Sequence, residues 1–259
     1  MTTPAERFER ELEIFRTEAE AGTQFFYADL AVRAVAVDRE SVRELLNQTP
    51  LFWNTCLGAL QTATFIVLGR IFDQDSDHNL DKLLRIAQDN SEIFSRVALG
   101  QRKRVKEPEK PEWLDEFLHN AYEPRPRDFR RIRIYIRKRR KIYETNYRDL
   151  RHRVFAHKST SDAESAALFA KTNIRELQRV FAFLGSLYEA LWELFFNGRR
   201  PVLRQRRYSV KRIRALPPAS KWHQAVQEKI THEAERFLTS ASRKAQAESK
   251  GEPRTGNFN

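Results

Sequence analysis

Apolar residues recur every three to four positions through most of the chain, and Gly and Pro fall mainly at the ends of those periodic stretches. The pattern predicts helices throughout, and with them an all-α fold. Phe8, Leu12 and Phe15 form the stripe of a first helix from Pro4 to Ala21, with Pro at its start and Gly22 as its stop. A second apolar helix follows from Phe25 to Val37. Asp38 reads as the N-cap of a third over Arg39 to Asn47, which ends before Pro50. Leu51 to Phe72 is the most continuously apolar helix, and its Gly58, Ala59, Ala63 and Gly69 are small enough to admit a second helix at close range. Arg70 and Asp73 break its apolar run. Both fit an ion pair or a cap, or a helix end turned toward chemistry, with Arg70 on phosphate or Asp73 orienting an imidazole.

Further along, Asn79 or Asp81 starts a helix to Ala87, and a short helix is expected over Asp89 to Leu99. Gln101 to Lys110 reads as an exposed linker, followed by a short helix over Pro111 to Asn120 with Trp113 and Phe117 on one face. Arg125-Pro126 opens a long helix with Phe129, Ile132, Ile136 and Tyr143 inward. Arg130, Arg133, Arg137, Arg140 and Lys141 are expected outward or on its flanks. Ser161 or Asp162 caps a last long helix from Glu164 to Phe196. Its stripe of Leu177, Val180, Phe181, Leu184, Leu187, Tyr188, Leu191, Leu194 and Phe195 is wide enough for both a core face and a dimer seam. Asn197-Gly198 stops it. Residues 1–198 thus read as one helical domain, 199–218 as a basic arm in extended or short-strand form, 219–247 as a C-terminal amphipathic helix and 248–259 as a disordered tail.

Charge changes the picture. The net charge of +12 points toward an anionic partner such as nucleic acid. It is also segregated: Arg125 to Lys158 holds 14 Lys or Arg against 3 acids, and Arg199 to Arg214 holds 8 against none, so the remainder of the chain is net negative. Like charges four apart destabilise an isolated helix, and a polyanion would relieve that repulsion. Phosphate contacts from Arg130, Arg133, Arg137, Arg140, Lys141 and Lys158, and from Arg204, Arg206, Arg207 and Lys211 in the arm, would give salt-sensitive affinity without sequence specificity. The single Cys56 sits in an apolar run and fits a reducing, cytoplasmic location. No secretory signal is expected at the acidic N-terminus, and no apolar run reaches ~18 residues, so no membrane partner is expected. The acidic run Asp73 to His78 lacks the Gly and bidentate Glu of a calcium loop, and neither clustered metal ligands nor a Gly-rich phosphate loop occurs; no metal or cofactor is expected.

The chemistry concentrates in Tyr147-Arg-Asp-Leu-Arg-His-Arg-Val-Phe-Ala-His157-Lys-Ser159. Tyr147, Leu150 and Val154 make its apolar stripe, flanked by Arg151, His152, Arg153, His157 and Lys158. A histidine can take and return a proton near neutrality, and an arginine presents a permanently charged fork to a phosphorane-like transition state. In an ideal helix Arg151 and His157 lie about 120° apart, so they converge only if the helix ends or unwinds near Ala156. Arg153 and His157 are about 40° from alignment, so Arg153 is the competing phosphate ligand.

Arg151, five residues and His157, in the setting Leu150-Arg151-His-Arg-Val-Phe-Ala156-His157, resemble the Arg-x(4 to 6)-His signature of HEPN domains. The similarity is greatest to the AbiU-like abortive-infection branch. Asn54 to Asp73, followed by Asn79-Leu-Asp-Lys-Leu-Leu84, resembles that branch as well, and the likeness spans roughly Phe25 to Gly198. It implies an up-and-down helical bundle, here with added N-terminal and C-terminal helices. It further implies a metal-independent endoribonuclease that acts on RNA through a 2',3'-cyclic phosphate, with two protomers joining their motifs across a homodimer interface. Arg151 and His157 are the nominated pair, with His152 and Arg153 beside them and Arg70, Asp73 and Tyr147 in support. A defence or toxin role with an antitoxin or regulatory partner would follow. His152 stands where the family commonly has Asn or Asp. Ser159 stands where a modifiable Tyr occurs in some HEPN toxins, so regulation by adenylylation is not implied. The alternative is a HEPN-like module that binds nucleic acid or assembles with partners without catalysis, and a third is a partner-binding subunit that docks through the wide stripe.

Overall fold

Gly22 does not stop a helix. In the computed structural model, which describes residues 2–104, 111–156, 161–204, 209–217 and 224–251, α1 runs unbroken over Pro4–Asp38. A Cβ at Gly22 would meet Phe181 and Val67 at 2.9 Å. The glycine is there for close packing, and the expected two helices are one. Asp38 consequently ends α1 instead of capping the next helix; α2 spans Glu40–Gln48 behind Arg39. The carboxylate of Asp38 takes Arg214 at 2.5 Å.

The apolar helix α3 covers Pro50–Phe72. Among the described residues it is the one helix long and apolar enough to cross a membrane, and 39% of its most apolar window is buried. Thr55, Gln61, Thr62 and Thr64 interrupt it, so the helix holds no unbroken run of ~18 apolar residues. Asn79 caps α4, Leu80–Asp89, by accepting from the N–H groups of Asp81 and Lys82. A 3-10 turn, Ser91–Phe94, and α5, Arg96–Arg104, replace the single short helix expected there and carry helix into the start of the expected linker. Residues 105–110 of that linker lie outside the described residues. Next come α6, Leu114–Asn120, and the basic helix α7, Pro126–Asn146. A π-helical turn, Leu150–Ala156, follows.

The expected last long helix is two. Ser161 and Glu164 form a capping box on α8, Asp162–Ala170, and Asn173 caps α9, Ile174–Asn197, which Gly198 closes at φ 56°. Most of the wide stripe on α9 is buried within this one chain, with Tyr188 half-buried. The basic arm contains a short helix, α10, Val210–Ala215, capped by Ser209, in place of extended chain or strand. Helix α11, Val226–Gly251, reaches into the stretch expected to be disordered. Among the described residues the structure is all-helical.

The chain divides into two compact units, and residues 1–198 do not form a single one. One comprises Met1–Gly22 and Phe65–Arg207, the other Thr23–Thr64 and Tyr208–Asn259. The first is centred on α9, where Phe8, Phe94, Phe129 and Phe195 interlock with ring centroids 5.0 to 5.9 Å apart. The second buries Val32, Val35, Val42, Leu57 and Leu238. Arg214 links Asp38 and Glu235 there, and Ser41 meets Ser242.

Candidate active site at the end of α3

The motif lies in the first unit, on a platform of rings. Phe65 of α3 stacks on Tyr147 at 5.9 Å and on Phe155 of the π turn at 5.3 Å, and Phe155 meets Phe169 of α8 edge-on. Tyr147 is buried, and its hydroxyl hydrogen-bonds to the Asn173 carbonyl and Glu176. Its support is therefore structural: it ties the end of α7 to the start of α9. The π turn widens the helix from Leu150 onward, a distortion that recurs at functional sites because it reorients side chains without ending the helix.

Arg151 crosses α3 at Gly69. A Cβ at Gly69 would lie 2.8 Å from both Cδ and Cζ of Arg151, so the guanidinium can rest there only over a glycine. One turn farther along α3, Asp73 accepts from Arg151 Nη1 at 2.5 Å. Residues four apart share a helix face, which makes Gly69 the seat and Asp73 the anchor of the same side chain. Arg151 Nη1 also meets His152 Nε2 at 2.9 Å. Arginine can only donate, so this contact is a hydrogen bond where the imidazole accepts through Nε2. His152 Nε2 lies 3.8 Å from Asp73. Arg151 Nε is buried without a hydrogen-bond partner, and Nη2 has none among the described residues. The Tyr143 hydroxyl is buried near the same carboxylate; burial first, and then the negative charge of Asp73, push its pKa up.

Several expected site residues fall elsewhere. Arg70 faces Glu18 at 3.2 Å, an ion pair away from the cluster. Asp73 anchors the arginine and not an imidazole in the first instance. Arg153 pairs with Glu164 at 3.1 Å, with both side chains substantially exposed. Arg130, Arg137 and Lys141 face outward on α7, and Arg133 is half-buried against Gln88. Arg140 does not face outward: it is buried, pairs with Asp81 at 2.6 Å and donates Nε to the Phe72 carbonyl at 3.2 Å. Its position between Ile136 and Tyr143 on the inward face is the reason. Arg204 and Lys211 are exposed, while His157, Lys158, Arg206 and Arg207 lie outside the described residues. Sequence reasoning missed Gly69 as a seat and Tyr143 as a lining group. The spacing of Gly69 to Asp73 was a usable signal for the first.

A family model for the AbiU2 branch of HEPN domains matches residues 5–213. The chain belongs to this HEPN family. No curated protein and no solved structure matches it. The AbiU2 match takes in the end of α3, all of α7 and the whole Arg-x5-His stretch, so the cluster of Gly69, Asp73 and Arg151 lies inside the family domain.

Proposed function

We propose that this HEPN protein is a metal-independent endoribonuclease of the abortive-infection kind, working in the cytoplasm. The placement of Arg151 carries the proposal: a fixed cation within the π turn Leu150–Ala156, seated over Gly69, with Nη2 open. In the reaction a base removes the proton of the ribose 2'-hydroxyl, and the 2'-oxygen attacks the adjacent phosphorus. The P–O5' bond then breaks, and an acid protonates the leaving 5'-oxygen, giving a 2',3'-cyclic phosphate and a 5'-hydroxyl end. His157 serves as base or acid, with His152 as the second imidazole. Arg151 offsets charge on the phosphorane oxygens, with Arg153 as its alternate. Pairing of two protomers would let one supply the base and the other the acid. The outward cations Arg130, Arg137 and Lys141 of α7, with Arg204 and Lys211, gather RNA through its phosphates. An antitoxin or other regulatory partner would restrain such an activity.

A second reading is favoured by one observation. Asp73 already neutralises Arg151 at 2.5 Å, as it would in a HEPN module that binds nucleic acid without cutting it. Labelled single-stranded RNA incubated in EDTA with wild type, His157→Ala and Arg151→Ala decides between them. Cutting that survives EDTA and is lost in both variants supports the nuclease, whereas salt-sensitive binding with no cutting by any of the three supports the binding module.

A further inference from the structure

The first three turns of α7 and the segment after α9 line a polar cavity in the same unit, with a volume of about 230 Å³. Asp128, Arg131, Tyr135, Arg200 and Leu203 line it. Asp128, Arg131 and Tyr135 follow at i, i+3 and i+7, which places them on one face of α7. The opposite wall is held by backbone: Gly198 turns the chain out of α9 at φ 56°, and its carbonyl accepts from Tyr122 N–H at 2.6 Å. The cavity is thus built from fixed main chain on both sides.

Its floor is a carboxylate used on one side only. The Tyr122 hydroxyl and the Arg125 N–H both donate to Asp128 Oδ2, at 2.7 and 2.8 Å, while Oδ1 accepts no hydrogen bond among the described residues. Burial pushes this carboxyl upward, but those two hydrogen bonds and the charges of Arg127 and Arg200 outweigh it and hold the pKa below the ordinary value. At neutral pH the group is therefore an ionised acceptor inside a cavity walled by Arg131 and Arg200. Arg131 makes no ion pair among the described residues, and Arg200 lies 5.9 Å over the Tyr122 ring.

An occupant must satisfy three demands together. It must donate hydrogen bonds to a carboxylate, offer a flat face to Tyr135, and carry negative charge for two guanidinium groups. A nucleotide within single-stranded RNA meets all three, since unstacked bases are read by aromatic stacking and by their Watson–Crick edges. Among the four bases guanine alone presents two adjacent donors, N1–H and N2–H, on that edge. Adenine and cytosine set a ring-nitrogen lone pair beside their single amino group, and uracil flanks its one N–H with carbonyls. All three would face the carboxylate with repulsion. The volume is below the ~300–1,000 Å³ of sites for drug-sized ligands, in keeping with one base and not a free dinucleotide.

We infer that this cavity is a base-recognition pocket that takes a guanine of single-stranded RNA, with Asp128 on its Watson–Crick edge, Tyr135 against its face and Arg131 and Arg200 on the flanking phosphates. The pocket rests on the RNA-directed reading above and adds a sequence preference to it. Asp128 and Asn146 lie about 27 Å apart along α7, so the recognised guanine sits several nucleotides from the scissile phosphate. Lys138 continues the outward surface between them.

The test uses the full chain carrying His157→Ala to keep the probes intact. Fluorescence anisotropy measures binding of oligouridine and of the same oligomer with one central guanosine, inosine or adenosine. The guanosine oligomer is expected to bind ~10-fold or more tighter than the uridine and adenosine probes, with inosine between them because it keeps N1–H and lacks the amino group. Asp128→Asn retains an oxygen for the cap of α7, and should level the preference for guanosine over uridine and adenosine. Tyr135→Ala, which touches no cap, should reduce the same preference. Equal binding of all four probes, or a guanosine preference that survives Asp128→Asn, overturns the pocket. If wild type cuts RNA while the probes bind equally, the pocket falls and the nuclease stands. If guanosine preference is found and no RNA is cut, the pocket stands and the nuclease falls. Failure to bind any probe overturns the pocket, and the nuclease falls with it only if wild type also leaves RNA uncut.

Discussion

Arg140 and Arg151 both reach the C-terminal end of α3, and each meets an aspartate, at 2.6 and 2.5 Å. Their surroundings part them. Arg140, with 7% of its side chain exposed, gives Nη1 to Asp81 and Nε to the Phe72 carbonyl, one of the orphan acceptors that a helix end leaves. It is a buried cap. Arg151, with 21% exposed, lies over Gly69, shares Nη1 between Asp73 and His152, and keeps Nη2 open. An ion pair therefore does not by itself mark a site. The donors left over after the pair is made, and their access to solvent, distinguish a group that completes the fold from one that can meet a phosphate.

The widest separation is expected from truncating the two arginines in turn. Arg140→Ala leaves Asp81 and the Phe72 carbonyl without their partner and should cost about 3–5 kcal/mol in urea unfolding, with cleavage per folded molecule unchanged. Arg151→Ala should lower the cleavage rate ~10²–10³-fold, the loss typical of a transition-state donor, with a smaller loss of stability than Arg140→Ala, since it leaves the Asp73 carboxylate unpaired but no helix-end carbonyl. An Arg140 variant of normal stability that no longer cuts RNA would erase the distinction.

Gly69→Ala sharpens it more gently. The added methyl must displace the Arg151 guanidinium, while alanine is better than glycine within a helix by roughly 0.5–1 kcal/mol. Cleavage should drop at least ~10-fold, the scale expected when a reacting group is misplaced, while thermal unfolding moves little in either direction. Unchanged cleavage in this variant would mean that Arg151 acts from another position.

The smallest effect is on binding. Arg137→Ala removes one outward cation and should lower the slope of log affinity against log salt by about 1. Arg140, sealed inside, should leave that slope unchanged if replaced by methionine. Titration of a labelled single-stranded RNA at several salt concentrations reads both, and equal slopes would return Arg137 to the class of uninvolved surface charge.

Local sequence determined the all-α class and the inward set Phe129, Ile132, Ile136 and Tyr143 on α7, and narrowed the start of α4 to Asn79 or Asp81, because each depends on residues within a turn or two of one another. The Arg-x5-His stretch was legible through its resemblance to the family, whose model spans it. Tertiary packing decided what local rules left open. Gly22 reads as a helix stop until Phe181 and Val67 are found against it, and Gly69 as a helix-packing residue until Arg151 is seen lying across it. Arg140 reads as one more outward charge until Asp81 and the end of α3 claim it. A glycine carries no sign of what fills the space beside it, and an arginine's long stem lets its charge face water or a distant carboxylate from the same helical position. Those choices depend on residues about 45 to 160 positions away in sequence, which come together only when the helices pack.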